Sequence, residues 1–269
     1  MESELDVVSY SNYESWGEKF ADNGVILSDI EVLKSWKPLF DKLFKDKRFK
    51  KIEKDLSEEL EDEAVKIFPY PDLVFNAFDL TSFKKLKVVF IGQDPYFDCM
   101  EYKNTCVPQA MGLSFSVPHG IKVPSSLKNI YANLKKFKHI EEMPDHGNLE
   151  SWAKQGCLML NSSLTVKEGT KSKNCHQGLW RWFTDEIISY ISENKDNVIF
   201  VLWGADAFKK ASLIDLDKHC ILVSSHPSGL SVNKPMKEHP AFNSYDHFGK
   251  INEKLAEWQL KEIDWNNAI

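Results

Sequence analysis

The hydrophobic and polar residues show two different kinds of spacing along the chain. Between Glu31 and Leu60 the apolar residues recur at helical spacing, which predicts helical structure with one apolar stripe. Its apolar stripe comprises Val32, Leu33, Trp36, Leu39, Phe40, Leu43 and Phe44. Further along, short apolar runs without alternation appear instead, and such runs are typical of strands buried on both faces. These runs are Leu86–Ile91, Cys157–Leu160, Asn197–Trp203 and Cys220–Val223.

Helical stretches separate these predicted strands. They are Pro124–Lys138, Leu179–Ser192, Ala205–Ala211 and Tyr245–Gln259. Strands that alternate with helices predict an α/β fold of three layers (αβα), in which a short parallel sheet of about four strands is flanked by helices. We expect residues 1–30 to form an N-terminal arm or a first short helix, and residues 31–269 to form a single catalytic domain.

Polar residues follow each of the predicted strands. In chain order they are Gln93-Asp94-Pro95-Tyr96, Asn161, Gly204-Ala205 and His226-Pro227-Ser228. In sheets of this kind the ligand binds beyond the carboxyl ends of the strands. The sequence therefore predicts an active site at that edge. Taken alone, Asp94-Pro95 reads as an ordinary turn after a strand, and Asn161 as a common strand end.

Composition and charge narrow the function classes. The formal charge of −6 argues against a protein that coats nucleic acid by bulk attraction, although it leaves room for a local basic groove. No apolar stretch is long enough to span a bilayer, so we expect no membrane association. The N-terminus, Met1 to Tyr10, is acidic and has neither a signal-peptide core nor an Arg-rich transit pattern.

The cysteines indicate a reducing environment. Their number is odd and no C-x-x-C pair occurs, so we expect reduced thiols in an intracellular protein of the nucleus or cytoplasm that is not secreted. Cys157 and Cys220 lie in apolar runs and are expected to behave as small buried hydrophobes. The cysteines are Cys99, Cys106, Cys157, Cys175 and Cys220.

Two motifs carry a resemblance to a known family. Gly92-Gln93-Asp94-Pro95-Tyr96, followed far downstream by His226-Pro227-Ser228-Gly229-Leu230-Ser231, resembles the GQDPYH and HPSPLS signatures of the family-1 uracil-DNA glycosylases. Further stretches agree in family order: Val74 to Phe78, Gly112 to Val117, Leu160-Asn161 with Leu164 to Val166, Leu202-Trp203-Gly204, and Ile263-Asp264-Trp265. The resemblance covers roughly Ser35 to Asn266.

The resemblance implies an enzyme of base-excision repair that flips uracil out of DNA and hydrolyses its N-glycosidic bond, without metal or cofactor. It assigns Asp94 and His226 to catalysis. Asp94 would stabilise positive charge on the sugar and orient a water, while a neutral His226 would donate a hydrogen bond to O2 of the departing uracil.

The resemblance also assigns the base pocket and the DNA contacts. Asn161 would read the edge of uracil, Phe115 would stack on the flipped base, and Tyr96 would exclude the methyl group of thymine. Gln93 would contribute to the pocket wall, largely through its backbone. The implied DNA-binding residues are Ser126, Ser228, Gly204, Ala205 and the wedge Leu230, which would fill the space that the flipped base leaves.

The chain departs from the family on the DNA side. Phe97 stands where the family has His, Ser125 and Gly229 where it has Pro, and Ala205 where it commonly has Ser. The loops from Phe97 to Gln109 and from Ser231 to Phe242 are longer than usual, and the segment around Asn174-Cys175-His176 matches loosely.

Two alternatives remain open from the sequence. One is a related glycosylase that acts on another lesion. The other is a catalytically weak or inactive DNA-binding scaffold of the same fold, such as a polymerase accessory subunit. We expect uracil-containing DNA, single- or double-stranded, as the partner, and a monomer as the working state.

Overall fold

The computed structural model describes residues 9–21, 23–102, 104–169 and 175–266. The strands are β1 (Ile67–Phe68), β2 (Val88–Gly92), β3 (Cys99–Tyr102), β4 (Thr105–Pro108), β5 (Cys157–Asn161), β6 (Val166–Lys167), β7 (Ile199–Trp203) and β8 (Cys220–Ser224). The α-helices are α1 (Trp16–Lys19), α2 (Lys37–Phe44), α3 (Lys47–Glu59), α4 (Asn76–Leu80), α5 (Ser125–Lys136), α6 (Glu150–Lys154), α7 (Gln177–Asn194), α8 (Ala205–Phe208) and α9 (His247–Glu257).

The central sheet has four parallel strands in the order β5-β2-β7-β8, with helices on its flanks. Every residue of β2, β5 and β7 is buried, which is why these strands appear in the sequence as continuous apolar runs. The predicted α/β fold with a short parallel sheet is therefore confirmed. Two short antiparallel pairs, β1-β6 and β3-β4, lie outside this sheet.

The helical pattern from Glu31 to Leu60 corresponds to two helices. The helical stretch divides into α2 and α3 at Lys45 and Asp46, where Asp46 has an extended backbone and its carboxylate accepts the N–H of Arg48. An aspartate at this position satisfies a free N–H of the first turn and starts a new helix. Of the predicted stripe, Trp36, Leu39, Phe40 and Leu43 are buried, whereas Leu33 is exposed.

The helix predicted from Ala205 to Ala211 is shorter than expected. It is α-helical only to Phe208 and then tightens into a 3-10 segment, Lys209–Leu213. The other predicted helices are present, with ends shifted by one or two residues.

The expectation of reduced thiols is wrong for two of the cysteines. The long segment after Phe97 forms the hairpin β3-β4, and Cys99 and Cys106 are joined across it by a disulfide. The three other cysteines are free thiols: Cys157, Cys175 and Cys220. The prediction of an intracellular compartment therefore depends on these three thiols alone. Cys157 is buried as expected, and burial raises the pKa of its thiol to about 12, whereas Cys220 is only half-buried.

The described part of the N-terminal segment packs onto the rest of the chain. Trp16 donates its indole N–H to the carbonyl of Pro69 at 2.7 Å, and Trp16, Val25 and Leu27 belong to the main hydrophobic core. Residues 1–8 lie outside the described residues, as does Asn174. A division between an arm at 1–30 and a domain at 31–269 stays a prediction. Among the described residues, no helix combines the length and apolarity needed to cross a membrane.

Candidate active site

The carboxyl ends of the four strands place the predicted site residues along one edge of the sheet. Gly92 at the end of β2 is paired with Asn161 at the end of β5. Trp203 at the end of β7 is paired with Ser224 of β8, and Gly204 N–H then donates to the carbonyl of Ser224 at 2.9 Å. The segments that carry Gln93, Asp94, Ala205 and His226 consequently leave the sheet side by side, as the strand pattern predicts.

Gly92 makes room for the side chain of Asn161. A Cβ atom on residue 92 would lie 2.2 Å from Asn161 Oδ1 and 2.8 Å from Ser114 Cβ, which no side chain can tolerate. Asn161 is only 8% exposed, so its carboxamide lies mostly out of solvent at the end of β5. Polar groups in such positions are usually hydrogen-bonded, and a ligand at this edge could supply those bonds.

Tyr96 and Phe115 are tied together on the apolar side of the site. The Tyr96 hydroxyl donates to the backbone carbonyl of Phe115 at 3.3 Å, and burial raises the pKa of Tyr96, so the phenol stays a neutral donor. Phe115 has a φ of +64°, which is rare for a residue with a side chain. Its ring lies 5.4 Å from that of Trp203 and 6.0 Å from that of His226.

Trp203 is itself held by a buried histidine. Its indole N–H donates to His247 Nδ1 at 3.1 Å, while His247 Nε2 lies 3.1 Å from the carbonyl of Phe242. Burial lowers the pKa of His247 to about 4, so the imidazole is neutral and its Nε2 carries the proton that it donates to Phe242. This chain of contacts fixes the wall behind Phe115.

His226 is held in one tautomer by its own loop. The backbone N–H of Ser228 donates to His226 Nδ1 at 3.0 Å, so the proton of a neutral imidazole resides on Nε2. The loop is closed by Ser231 and Val232, whose N–H groups both donate to the carbonyl of Ser228. Gly204, with a φ of +92°, permits close packing, because a Cβ there would lie 3.1 Å from His226 Cβ.

A cavity of about 240 Å³ lies beside His226. Residues from both the predicted base pocket and the predicted DNA contacts line it. Its lining includes Gln93, Ser162, Gly204, Ala205, His226 and Ser228. The backbone carbonyl of Gln93 accepts the N–H of Ser163 at 3.0 Å.

Asp94 has a neighbour that sequence reasoning missed. Gln177, the first residue of α7, donates its Nε2–H to Asp94 Oδ1 at 3.1 Å. The two residues are 83 positions apart, and nothing in the local pattern around Gln177 indicates the contact.

Two predicted DNA-contact residues lie away from these contacts. Leu230 is 86% exposed at the tip of the loop after His226. Ser126 lies half-buried in the first turn of α5, and that helix is tied to the same loop because Asn129 Nδ2 donates to the carbonyl of Pro227 at 2.7 Å. Phe97, which departs from the family pattern, packs with Phe68, Ala110 and Val166 near the hairpin.

Metal-ligand types cluster at one place within the ranges that the structure describes. Cys99, Cys106 and Glu168 lie close together, but the two sulfurs are bonded to each other and are therefore not thiolate ligands.

The fold and the site define an α/β protein whose polar candidate residues gather in a cavity at the carboxyl edge of a parallel sheet. The family model of the "Uracil DNA glycosylase superfamily" matches residues 78–256. The chain belongs to the uracil DNA glycosylase superfamily.

Individual relatives agree with this membership. The chain is 41% identical to a "Probable uracil-DNA glycosylase" of Acanthamoeba polyphaga mimivirus, over 97% of this chain and 72% of that protein. It is 42% identical to a "Uracil-DNA glycosylase" of Campylobacter concisus, over 89% of this chain and 96% of the relative. The crystal structure of mimivirus uracil-DNA glycosylase superposes with a TM-score of 0.89 at 40% identity, covering 96% of this chain and 98% of that one.

Proposed function

We propose that this protein excises uracil from DNA by hydrolysing the N-glycosidic bond, giving free uracil and an abasic site, and that Asp94 and His226 are its catalytic residues. The observation that carries the assignment is the tautomer of His226. Its Nδ1 is committed to Ser228 N–H, so Nε2–H is the hydrogen-bond donor of a neutral imidazole. A fixed neutral donor suits a leaving group that acquires negative charge on an oxygen.

Departure of the base is the first chemical event. The C1′–N1 bond breaks with both electrons passing to uracil, which leaves positive charge on the sugar and negative charge spread over N1 and O2 of the base. His226 Nε2–H stabilises the charge on O2, and Asp94 stabilises the cationic sugar. A donor of this kind is typically worth about 3 kcal/mol in a site that excludes water.

Hydrolysis is completed by water. A water molecule oriented by Asp94 attacks C1′, the new C1′–O bond forms, and the proton that the water loses passes to Asp94. That proton then passes through solvent to the uracil anion, so the base leaves as neutral uracil and Asp94 is ionised again. The reacting groups come from the protein and from water, so the reaction as proposed needs no metal and no cofactor.

Recognition of the base is assigned to the nearly buried pocket. The Asn161 carboxamide accepts from N3–H and donates to O4 of uracil, a pattern that cytosine reverses. The ring of Phe115 stacks on the flipped base, and the ring of Tyr96, fixed by its bond to the Phe115 carbonyl, leaves no space for a methyl group at C5. Gln93 lines the wall through its backbone.

Engagement of the DNA is assigned to the loops around the pocket. Leu230 enters the stack as the base leaves it, which offsets an extrusion cost of a few kcal/mol. Hydroxyl and backbone N–H groups of Ser126 and Ser228, with the backbone at Gly204 and Ala205, hold the flanking phosphates without reading sequence. We expect a monomer that acts on single- or double-stranded DNA inside the cell, in the nucleus or cytoplasm.

The test is release of uracil from matched single- and double-stranded oligonucleotides that contain one uracil, measured in EDTA. We expect free uracil from both substrates, and a loss of turnover by orders of magnitude in Asp94→Asn with DNA binding largely retained, because the carboxylate acts on the transition state. Binding without uracil release by the unmodified chain would favour the scaffold alternative. Release only after a divalent metal is restored would contradict the mechanism.

A further inference from the structure

We propose that Gln177 is a positioning residue for Asp94. Its Nε2–H donates to Asp94 Oδ1 at 3.1 Å and thereby restricts rotation of the carboxylate. The proposal rests on the catalytic role of Asp94 given above and adds a residue to it. A carboxylate that follows a strand on a turn has freedom about its side-chain bonds, and a fixed donor on a neighbouring helix removes much of that freedom.

The start of α7 is anchored in a way that makes Gln177 a rigid donor. The residue before it, His176, is 1% exposed, and both of its ring nitrogens are hydrogen-bonded. Nδ1 lies 2.8 Å from Thr165 Oγ1, and Nε2 lies 2.9 Å from Glu59 Oε2. Trp180, one turn further, donates its indole N–H to the same Thr165 oxygen at 2.7 Å. The backbone on both sides of Gln177 is therefore held by buried hydrogen bonds.

The chemical type of Gln177 suits this task. A neutral amide orients the carboxylate and leaves its negative charge intact, whereas a Lys or Arg would neutralise the charge that the cationic sugar needs. A hydrogen bond to the ionised form also keeps the pKa of a carboxyl group low. Asp94 would thus remain ionised to lower pH with Gln177 than without it.

The experiment is the pH dependence of kcat and KM on a single-stranded uracil oligonucleotide. For Gln177→Ala we expect kcat to fall about tenfold, with KM nearly unchanged, since a transition-state contact is loosened. The acidic limb of the kcat profile should move to higher pH by about 0.5 to 1 unit. Gln177→Glu should move the limb further in the same direction, because a second carboxylate opposes ionisation of Asp94.

Gln155 supplies the matched control. Its Nε2 donates to the carbonyl of Asp264 at 2.9 Å. This contact lies near the amino end of β5, whereas the site lies at the carboxyl ends of the strands. Gln155→Ala should leave the acidic limb in place. The proposal is overturned if Gln177→Ala changes neither kcat nor the acidic limb of the kcat profile. It is also overturned if Gln155→Ala moves that limb by the same amount. If Asp94→Asn loses activity while Gln177→Ala does not, the positioning role of Gln177 is wrong but the catalytic role of Asp94 stands. If Asp94→Asn is fully active, the proposed mechanism itself is wrong.

A different observation points to a phosphate-binding subsite next to the catalytic edge. A cavity of about 160 Å³ lies between α7 and the 3-10 segment 209–213, and it shares Gln93, Ser162 and Asp206 with the cavity beside His226. Its two lysines are each paired with an acid, Lys209 with Asp206 at 2.5 Å and Lys210 with Asp185.

The remaining charge in this cavity is the guanidinium of Arg181. Arg181 is exposed on α7, and its guanidinium forms no ion pair or hydrogen bond with any described residue, although its backbone carbonyl accepts from Thr184 Oγ1. We infer that Arg181 binds a phosphodiester oxygen of the DNA strand that enters the catalytic edge. A planar guanidinium matches the geometry of a phosphate, and the cavity includes Asp206, the next residue in sequence after Ala205, which has no hydroxyl to offer.

Salt dependence tests this assignment. In Arg181→Ala we expect the slope of log Kd against log salt for a single-stranded oligonucleotide to fall by about 0.7, as for one lost phosphate contact, while Arg181→Lys keeps most of the slope. Lys84→Ala, which removes one exposed charge just before β2 at the other end of the sheet, is the control. A slope unchanged in Arg181→Ala, or changed equally by Lys84→Ala, overturns the inference. Inorganic phosphate that binds through Arg181 while the DNA slope stays unchanged overturns it as well.

Discussion

At the scale of single residues, the proposed reading of the base by Asn161 depends on how closely the backbone approaches its side chain. Gly92 and Asn161 are neighbours across two strands, and the absence of a side chain at 92 is what lets the Asn161 amide lie over the strand end. The identity of Asn161 and the size of residue 92 are therefore coupled, and each can be tested alone.

Gly92→Ala should displace the Asn161 amide, since the new methyl carbon would meet Asn161 Oδ1 at 2.2 Å. We expect kcat on uracil to fall roughly tenfold or more, because a catalytic pocket tolerates displacements of only about 0.5 Å. Gly17→Ala is the matched control, as nothing lies within 4 Å of a Cβ at that position. Equal activity of the two variants in a uracil-release assay would show that the pocket tolerates a side chain at residue 92.

Asn161→Asp should confer activity on cytosine. A carboxylate can accept from the N4 amino group of cytosine, whereas the amide of Asn161 is assigned to donate at that position. Release of cytosine and of uracil must be measured side by side on the same oligonucleotide sequence. A variant that still cleaves uracil and rejects cytosine as strictly as the parent would remove Asn161 from base reading.

At the scale of elements, the sequence predicts the strands well and the local departures poorly. Strands buried on both faces carry their signature in their own residues, so β2, β5, β7 and β8 are found to within two residues. The hairpin β3-β4 depends on pairing across the turn and on the link between Cys99 and Cys106, and neither leaves a local apolar pattern. The contact between Gln177 and Asp94 is equally non-local.

The loop that carries Leu230 offers a prediction at this scale. Gly229 has no positive φ, a Cβ there would meet nothing within 4 Å, and its N–H donates no hydrogen bond to any described residue, so Pro would break no hydrogen bond there and its Cβ would meet no atom. Gly229→Pro should reduce the entropy that the free loop loses, by about 0.4–1 kcal/mol, and raise kcat/KM on duplex uracil DNA about two- to fivefold.

Single-stranded DNA is the internal control for this loop. Little must be unstacked in a single strand, so Gly229→Pro should have a much smaller effect there, and Leu230→Ala should lose more activity on duplex than on single strands. Equal losses of Leu230→Ala on the two substrates would contradict the wedge assignment.

At the scale of the whole molecule, two buried histidines give the stability opposite dependences on pH. Burial alone would lower the pKa of His176, but the Cys175 thiol and the Glu59 carboxylate raise it to about 9. The folded pKa lies above the unfolded value of about 6.5, so this contribution is complete below pH 6.5 and is lost as the pH rises through 9. Burial lowers the pKa of His247 to about 4, so folding excludes its proton and stability falls as the pH drops below about 6.5.

Urea denaturation between pH 5 and pH 9.5 should separate the two histidines. The free-energy difference between the parent and His176→Gln should be largest near pH 6 and shrink towards pH 9.5, by on the order of 3 kcal/mol for a shift of this size. For His247→Gln the difference should instead shrink as the pH falls towards 5. Parallel curves for the parent and both variants would rule out these two groups as the source of the pH dependence.

The position of β8 at the edge of the sheet has a consequence for refolding. β8 pairs with β7 alone, and the loop that carries His226 begins only where β8 ends. Asp94 follows β2, which lies in the interior of the sheet, so the two proposed catalytic residues come from distant parts of the chain and share one edge of the sheet only once β8 has paired with β7. Contacts between distant segments form slowly because a long loop must close first. Enzymatic activity should therefore return with the last kinetic phase of refolding, after most of the helical signal in circular dichroism has recovered.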